Sequence, residues 1–320
     1  MNKKFLAVVI VCVIVVSFLA YNEYQVSQEL RGTIRVSGAF ALYPLMVVWA
    51  DQYEKLHPEV TIEVSAGGAG KGMTDALAGL VDIGMISREI SPTEVASGAF
   101  YVAVTEGAAL ATISAANPML STILAQGFTK QVFYDIFVAG NITSWGQALK
   151  RADAMQYPIH VYTRSDAAGV ADVWAKFLGA KGQSDLKGIG IYSDPGIIEA
   201  LKSDPFGVGY NNLAYAYDNT TQQQLSGIAV VPIDFKGNGH IDPSESFYST
   251  KAALVKAIQD GSYPSPPAQD LYLVTKNKFT GVTKDFVMWI LTDGQSYVVE
   301  SGYVPLSPAT ISAQIAKLQS

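Results

Sequence analysis

The chain has 320 residues, of which 49% are hydrophobic, 11% aromatic and 16% charged. This excludes intrinsic disorder and is enough for one large or two medium cores. The net charge of −6 argues against a nucleic-acid partner and provides no long-range attraction for anions. An anion site in such a chain must work locally, through oriented N–H groups and a few cations.

Lys3-Lys4 precedes an apolar run over residues 5–20. A charged start followed by such a run reads as a targeting segment. It lacks a clean small-x-small cleavage site, so the expectation is an uncleaved anchor over 1–20 with its charged end inside, then a polar tether over 21–31. Secretion after cleavage is the alternative. Either way the remainder lies outside the cytoplasm. The single cysteine, Cys12, sits inside this run, so the chain has no disulfide framework and no cysteine-based metal site. His57, His160 and His240 are far apart in sequence and read as surface or loop residues.

Beyond the tether, strands and helices alternate. Residues 33–37 read as a strand, 43–56 as a helix with an apolar face, and 60–64 as the next strand. A helix over 73–80 and a buried-type strand over 81–86 follow. Residues 101–104 and 108–114 form a long apolar stretch suited to crossing into a second lobe. There, 129–137 reads as helix, 159–162 as strand, 170–178 as helix and 207–210 as a short strand. The apolar runs 228–233 and 271–275 are candidates to carry the chain back, before helices over 284–292, 294–301 and 308–318. This alternation predicts βαβ units and a largely parallel sheet. The expected division is 32–108 with 232–320 in a first lobe, and 109–231 in a second.

Two turns stand out. Ser65-Ala-Gly-Gly-Ala-Gly-Lys-Gly72 lies between a strand and a helix, and Thr163-Arg-Ser-Asp-Ala-Ala-Gly169 repeats that arrangement and brings an arginine. Glycines permit tight turns and close approach, and a helix starting after them points free N–H groups and its positive dipole end into the loop. No Ser-His-Asp set, metal cluster or Walker motif is visible. Ser65 stands where a P-loop needs its first glycine, and Met73 where it needs a hydroxyl. The expectation is therefore a binding protein and not an enzyme.

Several segments together resemble the phosphate-binding proteins of ABC importers, of the type II periplasmic-binding-protein fold. They are Val36-Ser-Gly-Ala-Phe-Ala-Leu-Tyr-Pro-Leu-Met46, Trp49-Ala-Asp-Gln-Tyr53, His57-Pro-Glu-Val60, the turn ending at Gly72, and Val81-Asp-Ile-Gly-Met-Ile-Ser-Arg88. Asp135-Ile-Phe137, Ile142-Thr-Ser-Trp145, Val161-Tyr-Thr-Arg164, Phe206-Gly-Val-Gly-Tyr210 and Gly294-Gln-Ser-Tyr-Val-Val-Glu-Ser-Gly-Tyr-Val-Pro-Leu306 continue the series. They follow the family's order over nearly all of 33–306. The resemblance implies an α/β fold of two lobes joined by two crossover strands, closing on phosphate or another small oxyanion or organic anion, with an ABC permease as partner; the membrane is expected to be held through the N-terminal helix read above.

The resemblance also places the ligand contacts: Ala41 and Leu42 after the first strand, Ala69, Gly70, Lys71 and Gly72 in the Gly-rich turn, Arg88, and Arg164, Ala168, Gly169 and Val170 in the second turn. Family hydroxyls are replaced here by Ala41, Ala69, Lys71, Ala168 and Val170. Each hydrogen bond lost to a charged ligand is worth roughly 1.5–3 kcal/mol. Asp166 and Asp172 lie near enough in sequence to pair with Arg164, and Glu89 or Glu106 with Arg88. Phe40 reads as core. The alternative to a receptor is a cell-surface or structural protein that keeps the scaffold with a degenerate site.

Asp234-Phe-Lys-Gly-Asn-Gly-His-Ile-Asp-Pro-Ser-Glu245 follows the EF-hand calcium loop, with Asp234, Asn238, His240, Asp242 and Glu245 as candidate ligands, although Lys236 stands where an oxygen is expected. A turn-rich surface loop is the competing reading; beyond this calcium no cofactor is expected. Asn141-Ile-Thr143 and Asn219-Thr-Thr221 match the glycosylation acceptor pattern.

Overall fold

The computed structural model describes residues 30–320. The anchor expected over 1–20 and all but the end of the tether lie outside the described residues. Among those described, no helix is long and apolar enough to cross a membrane.

Strand β1 (Gly32–Gly38) turns Ile34 and Val36 inward and Thr33 and Arg35 outward, the period of a half-buried strand. Strands β2 (Val60–Ala66) and β3 (Ile83–Ile86) flank it in parallel. Helices Tyr43–Leu56 and Ala69–Ala78 connect them, as parallel pairing requires. The first of these buries Leu45, Met46, Trp49 and Tyr53, one face at helical spacing.

The long strand β4 (Ala99–Ser114) organises the rest. Its first part pairs antiparallel with the late strand β9 (Ala268–Lys276), from Ala99 opposite Lys276 to Ala108 opposite Ala268, with a register shift between Ala103 and Thr105. Its second part pairs with β7 (Gly207–Asn212) and with the short β8 (Ile228–Val230). Strands β5 (His160–Arg164) and β6 (Ile189–Ile191) continue in parallel beyond β7. The nine strands of the described residues make one sheet, ordered β2-β1-β3-β9-β4-β7-β5-β6, with β8 on β4.

Two large cores lie along this sheet. The first gathers Ile34, Trp49, Tyr53, Met85, Phe286, Trp289 and Leu318, and the second Phe128, Phe133, Trp145, Trp174, Tyr210 and Tyr263. Ile233, Tyr248, Leu254 and Tyr263 belong to the second core, although 232–320 is expected with the first. The run 228–233 does not carry the chain back. It forms β8 on the second half of β4, and β9 makes the return. The apolar pieces 101–104 and 108–114 are one strand, because Thr105, Glu106 and Gly107 continue the ladder to β9. The helix expected at 73–80 starts at Ala69, so Gly70 and Gly72 lie inside it.

Candidate functional site

The carboxyl ends of five strands point to one place, where open α/β sheets bind ligands. Phe40 and Ala41 follow β1, Gly68 and Ala69 follow β2, Ser87 follows β3, Arg164 ends β5 and Asn212 ends β7. With Ala168, Gly169 and Val170 they line a single narrow space between the two cores. That space admits no water-sized sphere.

Two helices, Ala69–Ala78 and Gly169–Leu178, begin at this lining. Neither carries a side-chain cap, whereas Ser91, Thr129, Ser193 and Ser307 cap other helices. An uncapped start leaves orphan N–H donors and the positive end of the dipole. Among the described residues, the N–H groups of Ala69, Gly169 and Val170 have no protein acceptor, while that of Ala168 is taken by Gln183 Oε1 at 2.9 Å.

The approach of the two halves depends on missing side chains. Gly68 has φ +92°, and a Cβ there would stand 2.8 Å from the Ala167 carbonyl oxygen. A Cβ on Gly169 would meet both the carbonyl oxygen and Oγ of Ser87 at 2.2 Å. Between these contacts the Gly70 N–H donates to the Ala167 oxygen at 3.0 Å. Gly72 is packed against Gly38 and the Met85 carbonyl.

Arg164 is buried, with 1% of its side chain exposed. Its Nε and one terminal nitrogen donate to Asp166 at 2.8 and 2.6 Å, and the other terminal nitrogen donates to Asp194 at 2.7 Å. One N–H on each terminal nitrogen is left over. Burial, the largest influence, opposes the charge; Asp194 and Asp166 outweigh it and push the pKa of Arg164 up. Asp194 is held in turn by the Asn212 backbone N–H at 2.7 Å and its side-chain amide at 2.9 Å. Gln183 braces the turn from behind, donating to the carbonyls of Arg164 and Asp166.

The expected contacts thus separate into two groups. Ala41, Ala69, Arg164, Ala168, Gly169 and Val170 come together. Leu42 is fully buried in the first core. The Gly70 N–H serves Ala167, Gly72 serves packing, and the Lys71 ammonium sits on Asp75, which also accepts from Ser37 Oγ. Arg88 forms a fork with Glu94 at 2.6 and 3.0 Å, not with Glu89 or Glu106 side chains. Asp172 pairs with Lys176, so the second partner of Arg164 is Asp194. Sequence reasoning missed Asp194, Gln183 and Asn212. The only trace of Asp194 is the helix-start pattern Ser193-Asp-Pro-Gly196.

In the 234–245 loop the carboxylates expected as calcium ligands are engaged within the chain. Asp234 accepts the N–H groups of Gly237, Asn238 and Gly239, and Glu245 those of Phe235, Lys236 and Asp242. Lys236 Nζ lies 2.8 Å from Asp242, supplying the charge a cation would. Among the described residues no group of three His, Cys, Asp or Glu is placed to hold a metal.

A roomier cavity of ≈ 450 Å3 opens beside the crossing strands, lined by Glu89, Glu106, Lys176, Gln269, Asp270 and Tyr272 among others. Its single cation, Lys176, is already 3.3 Å from both Glu89 and Asp172. Such a wall repels anions, so size alone does not make it the binding site.

Known proteins resemble this chain over most of its length. The phosphate-binding protein PstS of Methanocaldococcus jannaschii is 25% identical over 95% of this chain and 92% of its own length. That of Bacillus subtilis is 24% identical over 89% of this chain and 84% of its own length. A Clostridium perfringens protein solved with bound phosphate superposes with a TM-score of 0.69 at 22% identity, covering 86% of this chain and 100% of that one. At that identity the likeness establishes the fold. A profile of the PBP superfamily domain matches residues 25–294, most of the chain, and the protein belongs to the PBP superfamily.

Proposed function

We propose that this protein is the extracytoplasmic solute receptor of an ABC importer, capturing phosphate or a similar small oxyanion between its two lobes. The observation that carries the reading is the pair of uncapped helix starts, at Ala69 and Gly169, converging with Arg164 from opposite sides of one cleft. Helix N-termini suit anions. The named function of the Methanocaldococcus and Bacillus relatives supports phosphate as the first ligand to try. Export and membrane attachment through residues 1–20, and docking on a permease, are part of the proposal, as is binding without catalysis. Thermal unfolding with phosphate, sulfate, molybdate and organic anions tests it. A ligand at about 100 times its dissociation constant adds roughly 2.7 kcal/mol of stability, so the melting temperature should rise with the true ligand.

One specific observation favours a second reading. Lys71, Arg88 and Arg164 each already face a carboxylate, and the cleft lining leaves no water-sized space. A surface protein that keeps the scaffold without a ligand would look this way. No shift with any anion would decide for it.

A further inference from the structure

Phe40 occupies an unusual position for an apolar side chain. It follows β1 in a short 3-10 turn, Phe40–Leu42, and is only half-buried. Its ring lies over the guanidinium of Arg164, with Cζ 5.3 Å from the ring centroid. The ring of Tyr192 meets it edge to face at 5.7 Å. The Tyr215 hydroxyl donates to the Phe40 carbonyl oxygen at 3.2 Å, fixing the turn from the other half. The edges of Arg164 are held by Asp166 and Asp194, so the ring covers a face that the carboxylates leave open. Phe40 is also part of the lining whose interior admits no water-sized sphere.

We infer that Phe40 is a specificity-determining residue, a resident competitor that an oxyanion must displace to reach Arg164 and the two helix starts. The inference rests on the receptor reading above. The neighbouring lining residues Ala41, Ala69 and Ala168 are small and fixed to the backbone, so they cannot vacate space. Phe40 can, by rotating away from Arg164 along the exposed flank of Tyr192, which is 56% exposed. The apparent affinity of a site falls by the fraction of molecules in which it is open. Removing the ring removes that factor and leaves the N–H donors in place.

The experiment is calorimetric titration of inorganic phosphate into the parent protein, Phe40→Ala and Tyr192→Ala. Phe40→Ala is expected to bind phosphate about 10–100-fold more tightly than the parent, the factor corresponding to a ring in place in most molecules. Tyr192→Ala, which unseats the ring without touching the lining, should shift affinity in the same direction by less, and it decides the matter if Phe40→Ala fails to fold. Equal or weaker binding in the variants, with the parent binding, overturns the role of Phe40 and leaves the receptor reading intact. Binding by the variant alone supports the role and shows the parent to be plugged. No binding by any of them removes both.

Discussion

Arg164 shows how much of one side chain can be engaged within the protein before a ligand arrives. Its guanidinium sits with two carboxyl groups in a region where Asp194 is 0% exposed and Asp166 is 5% exposed on the side-chain scale. Removing one member of a buried ion pair leaves an uncompensated charge, at a cost of roughly 3–5 kcal/mol. Asp194→Ala should therefore lower stability by about that amount in urea unfolding, and Asp194→Asn by less, because its single amide oxygen still accepts from the Asn212 backbone N–H. A loss under about 1 kcal/mol would mean that the cluster is more hydrated than its burial indicates. Arg164 and Asp166 were legible in the sequence because they share one turn. Asp194 was not, since its contact is made by the return of the chain through β6, and no spacing rule ties the two. Phe40 reads as core in the sequence for a similar reason: its apolar character is visible there, but the cation it covers comes from another strand.

Among the elements, those legible in the sequence are the ones whose pattern is local. The helix Tyr43–Leu56 has a continuous apolar face and a proline in its first turn. The Gly-rich helix start is not legible in the sequence because glycine disfavours helix interiors; here Gly70 and Gly72 are needed for contact with Ala167, Gly38 and Met85. The middle of β4 was lost because Glu106 interrupts an apolar run. Glu106 lies directly opposite Asp270 on β9. Burial first, and then the Asp270 charge, push the Glu106 carboxyl up, and burial does the same to Asp270 against a pull from Tyr272. A carboxyl raised in the folded state binds protons more tightly there than in the unfolded chain. Its charge costs stability above the folded pKa, and the cost disappears as pH falls below the ordinary range. Glu106→Gln should raise the melting temperature at neutral pH, with the gain fading by about pH 4. A gain that grows on acidification would contradict this account.

For the whole molecule, the alternation of strand and helix and the ordered family matches made the α/β fold legible. The point of return was not. An apolar run at 228–233 resembles a crossing strand as well as 271–275 does, and only the pairing partner distinguishes them. How closely the halves approach is a property of the assembled molecule. Gly169 lies against Ser87 so tightly that one added carbon overlaps backbone, and moving the halves apart relieves the overlap. Gly169→Ala should therefore keep its far-ultraviolet circular dichroism and enlarge the radius of gyration seen by small-angle X-ray scattering. An unchanged radius would show that the contact yields locally.

The β4–β9 ribbon has a mechanical consequence as well. Leu30 and Leu318 both pack on the first core, so a pull applied near these points loads that core directly. The second core hangs from two strands that lie side by side and antiparallel. Tension reaches it only after the ribbon has parted bond by bond, as a zipper opens. Stretched between those points, the molecule should lose its first core while the second is still folded, a sequence of rupture set by the path of the backbone and independent of which half is thermally the more stable.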